Sequence, residues 1–234
     1  MVNLVYSPPW FYGIDIVIDV VSVVVLFLIA YYTRQYYKLN RKNKNYLLFS
    51  GGALLLMISF LFKITTNFVI YNVEWHTKQI GFITIAYQTI EQIAIFSIWG
   101  TLLFRFLTLL GFYLLFLVYY KNQGSPLPLF TIYFLILITY FTSSAHYIFH
   151  LTTLLFILSI LYKLRINSKN NKEISAKVIY KAFMIIALSQ LIFIFLLITR
   201  QFYVLAELIQ LLGYGLLLTG FIMVKHYGKK KNKN

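Results

Sequence analysis

"PLFTIYFLILITYFTSSAHYIFHLTTLLFILSILY", Pro128 to Tyr162, holds no lysine, arginine, aspartate or glutamate. How often it crosses a bilayer decides the fold. As one helix it would be about 50 Å long, well beyond a hydrocarbon core roughly 30 Å thick. A turn at Thr142, Ser143 and Ser144 makes it two helices instead. The basic residues select between these readings. Five lie in "TRQYYKLNRKNKN", one is Lys121, six lie in "YKLRINSKNNKEISAKVIYK" and five lie in the tail "KHYGKKKNKN". These 17 of the 21 share one side of a membrane only if the chain crosses seven times, with the N-terminus outside and the C-terminus cytoplasmic.

The rest of the chain fits that count. Sixty per cent of the 234 residues are hydrophobic and 12% are charged, and the apolar runs are too long for soluble elements. The expectation is an all-α, multi-pass protein of the cell membrane, one integral domain over 1–234. Helices are expected near 14–33, 46–71, 86–120, 128–142, 145–163, 177–199 and 203–226. The third is long enough for an outer extension and a break near Gly100. Helix 1 is read as an N-out anchor rather than a cleaved signal, since no basic segment precedes it and Asp15 and Asp19 stand at its start. The net charge of +15 is explained by topology and not by nucleic acid. The basic loops and tail suit anionic lipid headgroups and a cytoplasmic protein partner. The absence of cysteine removes thiol chemistry, disulfides and Cys-metal sites.

Two similar stretches suggest an internal repeat. "LTLLGFYLLFLVYYK", Leu107 to Lys121, and "LIQLLGYGLLLTGFIMVK", Leu208 to Lys225, share a Leu-Leu-Gly-aromatic core at an offset of 102. Asp15 and Asp19 precede an apolar run and a basic loop, as do His146 and His150. The layout is three helices (14–121), a linker helix (128–142) and three more (145–227), followed by a basic tail (228–234). Parallel repeats of this kind place matched residues at equal depth.

Counting about 1.5 Å per residue from the nearest cytoplasmic basic residue, Asp15, Asp19, Lys63, Arg105, His146, His150 and Glu207 meet in the outer third. Ionisable groups there are costly unless they face inward and pair. The repeat matches Arg105 with Glu207, and Asp15 and Asp19 with His146 and His150. An Arg105–Glu207 ion pair and an acid-histidine cluster between helices 1 and 5 are therefore expected. The i, i+4 spacing puts both histidines on one helical face. Asp19 or Glu207 would complete a divalent-metal site with them, the one cofactor these residues leave open. Glycines 51, 52, 213, 215 and 220 suit close helix packing. Gln190, Ser159 and Ser22 are read as the few polar groups of the inner half. Glu74, His76 and Lys78 read as a solvated loop, and Gln88, Glu91 and Gln92 as the extension of helix 3.

The "YVLAELIQLLGYGLLLTGFIMVKHYGKK" style of helix 7, Tyr203 to Lys230, and the short basic loops resemble archaeal seven-helix membrane proteins. They also resemble the seven-helix sensor regions of prokaryotic histidine kinases. Other seven-helix families fit less well. Microbial rhodopsins carry a lysine in the middle of helix 7, where this chain has only Lys225 at the inner end. SWEET-type sugar carriers have a Pro-Gln motif that is absent here, and the zinc amidases related to alkaline ceramidases gather histidines from several helices. No P-loop, GxGxxG, GxSxG or HExxH motif occurs, so enzymatic activity is not expected. The convergence of charged groups at one depth, with nothing catalytic beside them, points to a binding or sensory protein whose outer polar layer holds a small ligand, proton or ion. The alternatives are a proton- or metal-coupled carrier and a metal-dependent intramembrane enzyme.

Overall fold

The computed structural model describes residues 7–39, 41, 43–77, 83–120, 128–142, 145–170 and 174–231. Within them the chain forms seven α-helices and no strand. These are α1 (Ile14–Leu39), α2 (Asn45–Thr77), α3 (Ile83–Tyr120), α4 (Pro128–Phe141), α5 (His146–Asn170), α6 (Ile174–Ile194) and α7 (Gln201–Lys231). Six are long and apolar enough to cross a membrane. Leu, Ile, Val and Phe side chains such as Val17, Val24, Phe27, Leu155, Leu158 and Leu212 stand exposed along the outside. So much apolar surface is untenable in water and ordinary against lipid. The chain is a multi-pass membrane protein.

Helix breaks fall where local chemistry ends the backbone ladder. α4 stops at Phe141 and α5 starts at His146. Thr142 turns its hydroxyl back to the Thr139 carbonyl at 2.6 Å, and the Ala145 amide reaches the Phe141 carbonyl at 3.2 Å. Ser143 and Ser144 lie outside the described residues. α3 runs unbroken past Gly100, so the expected break is not there. A β-carbon at Gly100 would collide with the Thr66 side chain, and the glycine serves contact with α2.

Paired contacts give each helix its direction. Asp19 meets Lys63 while Ala30 meets Ser50, so α1 and α2 are antiparallel. Gly52 lies against Gly111 and Thr66 against Gly100, so α3 reverses again. Arg105 meets His146 while Tyr120 meets Ser159, so α5 runs parallel to α3. Two parallel helices need a return between them, and α4 supplies it. Its 14 residues rise about 21 Å, short of a full hydrocarbon thickness, so α4 is not the equal of the other six. Ile186 packs on Gly213 and Ile179 on Gly220, which makes α6 and α7 antiparallel. Tyr36 donates to the Phe221 carbonyl, which places α7 parallel to α1.

The principal neighbours are α1–α2, α2–α3, α3–α5, α5–α6, α6–α7 and α7–α1. Six helices thus close a ring, and α4 lies outside it on α3 and α5. Small residues set the closest approaches: a β-carbon on Gly52 would lie 3.0 Å from the Gly111 carbonyl oxygen, closer than side chains ordinarily pack. The ring's centre divides by depth. Leu26, Ile29, Phe49, Phe60, Phe112, Phe183, Tyr214 and Phe221 fill the end that carries the basic loops, while the other end holds the polar residues.

Candidate functional site

Lys63 of α2 is the hub of one polar assembly. Its ammonium donates to Asp19 Oδ1 of α1 at 2.8 Å and to Glu207 Oε1 of α7. Both carboxylates are buried, and Lys63 also stands over the Phe60 and Tyr203 rings. One cation shared by two anions in an apolar surrounding is a charge-assisted arrangement that holds three helices together.

A second assembly begins at Arg105 of α3. Its guanidinium donates to the Thr142 carbonyl and lies 2.9 Å from His146 Nδ1. His146 Nε2 is 3.0 Å from His150 Nε2, and His150 Nδ1 is 2.8 Å from Gln190 Oε1. The direction of this chain is set at its first member, because arginine only donates. His146 Nδ1 must accept, so its proton sits on Nε2 and points at His150 Nε2. His150 in turn carries its proton on Nδ1 and donates to Gln190. Both imidazoles are thereby neutral and each has a defined tautomer. The His150 ring also stacks on Phe193, with centroids 4.6 Å apart and planes 14° off parallel.

The two assemblies face a common cavity of about 80 Å³. Phe60, Phe104, Phe149 and Phe193 form apolar walls. Ser7, Asn67, Thr66, Thr101 and Thr108 add polar groups, and Tyr203 and Gln210 line it from α7. Measured in water-sized units of about 10–15 Å³, it has room for several waters or one small molecule. The 3-10 turn Pro9–Phe11 brings Ser7 over the cavity, with Phe11 buried among Ile18, Phe193 and Tyr203. Gly13, at φ 87°, turns the chain from there into α1.

The structure therefore brings Lys63, Arg105, His146, His150 and Glu207 to one cavity, with Asp19 directly behind Lys63. Asp15 is buried but elsewhere: its Oδ1 accepts from the Gly13 and Ile16 amides at 3.1 and 2.9 Å, at the N-terminal end of α1. Two expectations need correction. Glu207 pairs with Lys63, and Arg105 turns to Thr142 and His146, so the Arg105–Glu207 pair is replaced. The acid-histidine cluster is replaced too, since Asp19 bonds Lys63 and the histidines bond Arg105, each other and Gln190.

Gln190 also changes place, from the inner half to the histidines. Lys181, the nearest basic residue, is about 14 Å away by helical rise, whereas α6 starts at Ile174, about 24 Å away. A lone amide in an otherwise apolar span is costly, and that signal marks Gln190 as a functional-layer residue. Nothing in the sequence pointed to Ser7 or Asn67, which owe their place to the turn before α1 and to the face of α2 that carries Lys63. The side chains of Glu74, His76, Lys78, Gln88, Glu91, Gln92 and His226 lie outside the described residues.

The donor set suits a divalent metal poorly. Among the described residues no three histidines or carboxylates converge, and Asp19 and Glu207 already accept from Lys63. A metal on His146 Nε2 would move that ring's proton to Nδ1, against the Arg105 guanidinium. Among protein families, curated proteins and solved structures, none matches this chain.

Proposed function

We propose that the chain is a membrane binding or sensory protein, taking a small molecule into the cavity between the two assemblies. The observation that carries this reading is polarity confined to one depth. Buried hydroxyls nearer the basic end return to backbone carbonyls: Thr33 to Ile29, Ser50 to Ala30 and Ser59 to Leu56. Below the cavity Phe60 meets Tyr214, with centroids 5.9 Å apart, and the aromatic core continues from there. From the cavity lining, Gln210 donates to the buried Tyr214 hydroxyl at 3.0 Å, and the Tyr214 ring belongs to that core. The ring is a closed set of packed helices whose hub lysine ties α1, α2 and α7 together. Occupancy that shifts this hub has a direct route to the basic ends, which the positive-inside pattern assigns to the cytoplasm. The arrangement suits binding better than catalysis, because both imidazoles are engaged and Lys63 is held as a charged ammonium rather than a nucleophilic amine.

A test is mass spectrometry of small molecules released on denaturing the purified protein. Wild type should release one at near-stoichiometric yield, and His150→Ala should lose it. Equal release from both, or none from wild type, breaks the reading.

A carrier is the second reading, favoured by the order of the ring. Exchanging α1, α2 and α3 with α5, α6 and α7 leaves the neighbour relations unchanged. Gly111 packs on α2 as its matched Gly213 packs on α6. Parallel halves related in this way underlie alternating access in known carriers. Sustained uptake of the released molecule into vesicles made with the protein would favour this reading over simple binding.

A further inference from the structure

We propose that the cavity selects an uncharged molecule presenting a hydrogen-bond acceptor, a carbonyl or amide compound of a few heavy atoms. The proposal rests on the binding reading above and names its ligand class. Charge comes first. Lys63 and Arg105 oppose Asp19 and Glu207, and the direction of the His146–His150 chain keeps both rings neutral. Among the described residues these four charges balance when the cavity holds no net charge; Asp15, one turn from Asp19, does not line the cavity and turns to the Gly13 and Ile16 amides. A buried anion would leave an uncompensated charge, which is costly at this depth.

The unengaged groups then choose between neutral ligands. Ser7 Oγ is buried without a hydrogen-bond partner, and so is Asn67 Nδ2; both residues line the cavity. Lys63 has three N–H donors, of which two go to the carboxylates. An ammonium hydrogen, an amide N–H and a hydroxyl therefore border the same space. Buried polar groups left unpaired are expensive, so a ligand that accepts from them is favoured. A cation offers only further donors; Glu207 at the wall already holds Lys63, and Asp19, whose Oδ2 is buried without a hydrogen-bond partner, stands behind Lys63 and does not line the cavity. The phenylalanine walls take the ligand's apolar part.

Three probes of nearly equal shape separate the charge classes: propionamide, propionate and propylammonium. Their effect on the thermal unfolding of purified full-length protein is read at equal concentrations in the tens of millimolar. Propionamide should raise the midpoint most. Asn67→Leu and Ser7→Ala should each weaken its apparent binding, by roughly threefold to tenfold for one lost hydrogen bond. Ser7→Ala removes one hydroxyl and so keeps the test alive if Asn67→Leu folds poorly. An equal or larger shift with propionate or propylammonium overturns the assignment. So does a propionamide shift that both variants retain, or no shift with any probe. If the protein still releases a small molecule on denaturation, only the ligand class has failed. If it releases none, the binding reading falls as well.

Discussion

The Lys63 and Arg105 assemblies answer the same problem, a cation buried at one depth of the bundle, in opposite ways. Lys63 on α2 is met by two carboxylates, Asp19 of α1 and Glu207 of α7. Arg105 on α3 is met by a carbonyl and by neutral imidazoles that end on Gln190 of α6. Under the proposed repeat Asp19 corresponds to His150 and Glu207 to Arg105. One half closes its layer with charge and the other with a directed chain of neutral groups. Residues related by a rotation stand across the axis from one another. A match between Arg105 and Glu207 in such a repeat is therefore no reason for them to pair.

The difference sets an order of effects that experiment can break. Lys63→Met should be the most damaging, since it leaves two carboxylates buried without their cation. A loss of about 3–5 kcal/mol is expected on removing one partner of such a pair. The triple variant Lys63→Met, Asp19→Asn, Glu207→Gln should recover most of it, as judged by denaturant-induced unfolding in detergent. A triple variant as unstable as the single one would show that the ammonium is not balanced there.

Arg105→Met should cost less, about 1–3 kcal/mol, because it strands a carbonyl and an imidazole rather than a charge. If the two single variants are equally destabilised, the contrast between the assemblies is wrong. Gln190→Leu sharpens it further. Removing the acceptor from His150 Nδ1 should cost about 1 kcal/mol, and nitrogen NMR of the labelled imidazoles should show His150 no longer held as the Nδ1–H tautomer. An unchanged tautomer would mean the chain's direction is set elsewhere. The smallest contrast concerns packing. Gly213→Ala meets Ile186, whereas a β-carbon at Gly215 meets nothing within 4 Å. The first should cost about 1–3 kcal/mol through overpacking, and the second should be neutral or stabilise by up to about 1 kcal/mol.

Much of the fold was legible because the bilayer imposes length and charge rules that act along the chain. The seven apolar runs, the break between Phe141 and His146 and the gathering of basic residues at one end all follow from helical rise and the cost of charge in lipid. The rank of α4 did not, since its apolar composition matches that of its neighbours and only contacts place it outside the ring. Within the polar layer, depth was readable for Asp19, Lys63, Arg105, His150 and Glu207, because each buried charge is a costly exception in an apolar run. Gln190 was misplaced because basic residues mark the water boundary only when they sit at a helix end, and Lys181 does not.

The sequence by itself determined which residues enter the membrane, where the chain reverses and that a polar layer exists near one end. Those properties depend on one residue and its neighbours a turn or two away. Partner choice was decided by the tertiary structure alone. Lys63 meets Asp19 and Glu207, and Arg105 meets His146, because the rotation of each helix about its axis is set by side-chain packing across the ring. Glycines at the α2–α3 and α6–α7 contacts fix that rotation, and spacing along the chain does not encode it.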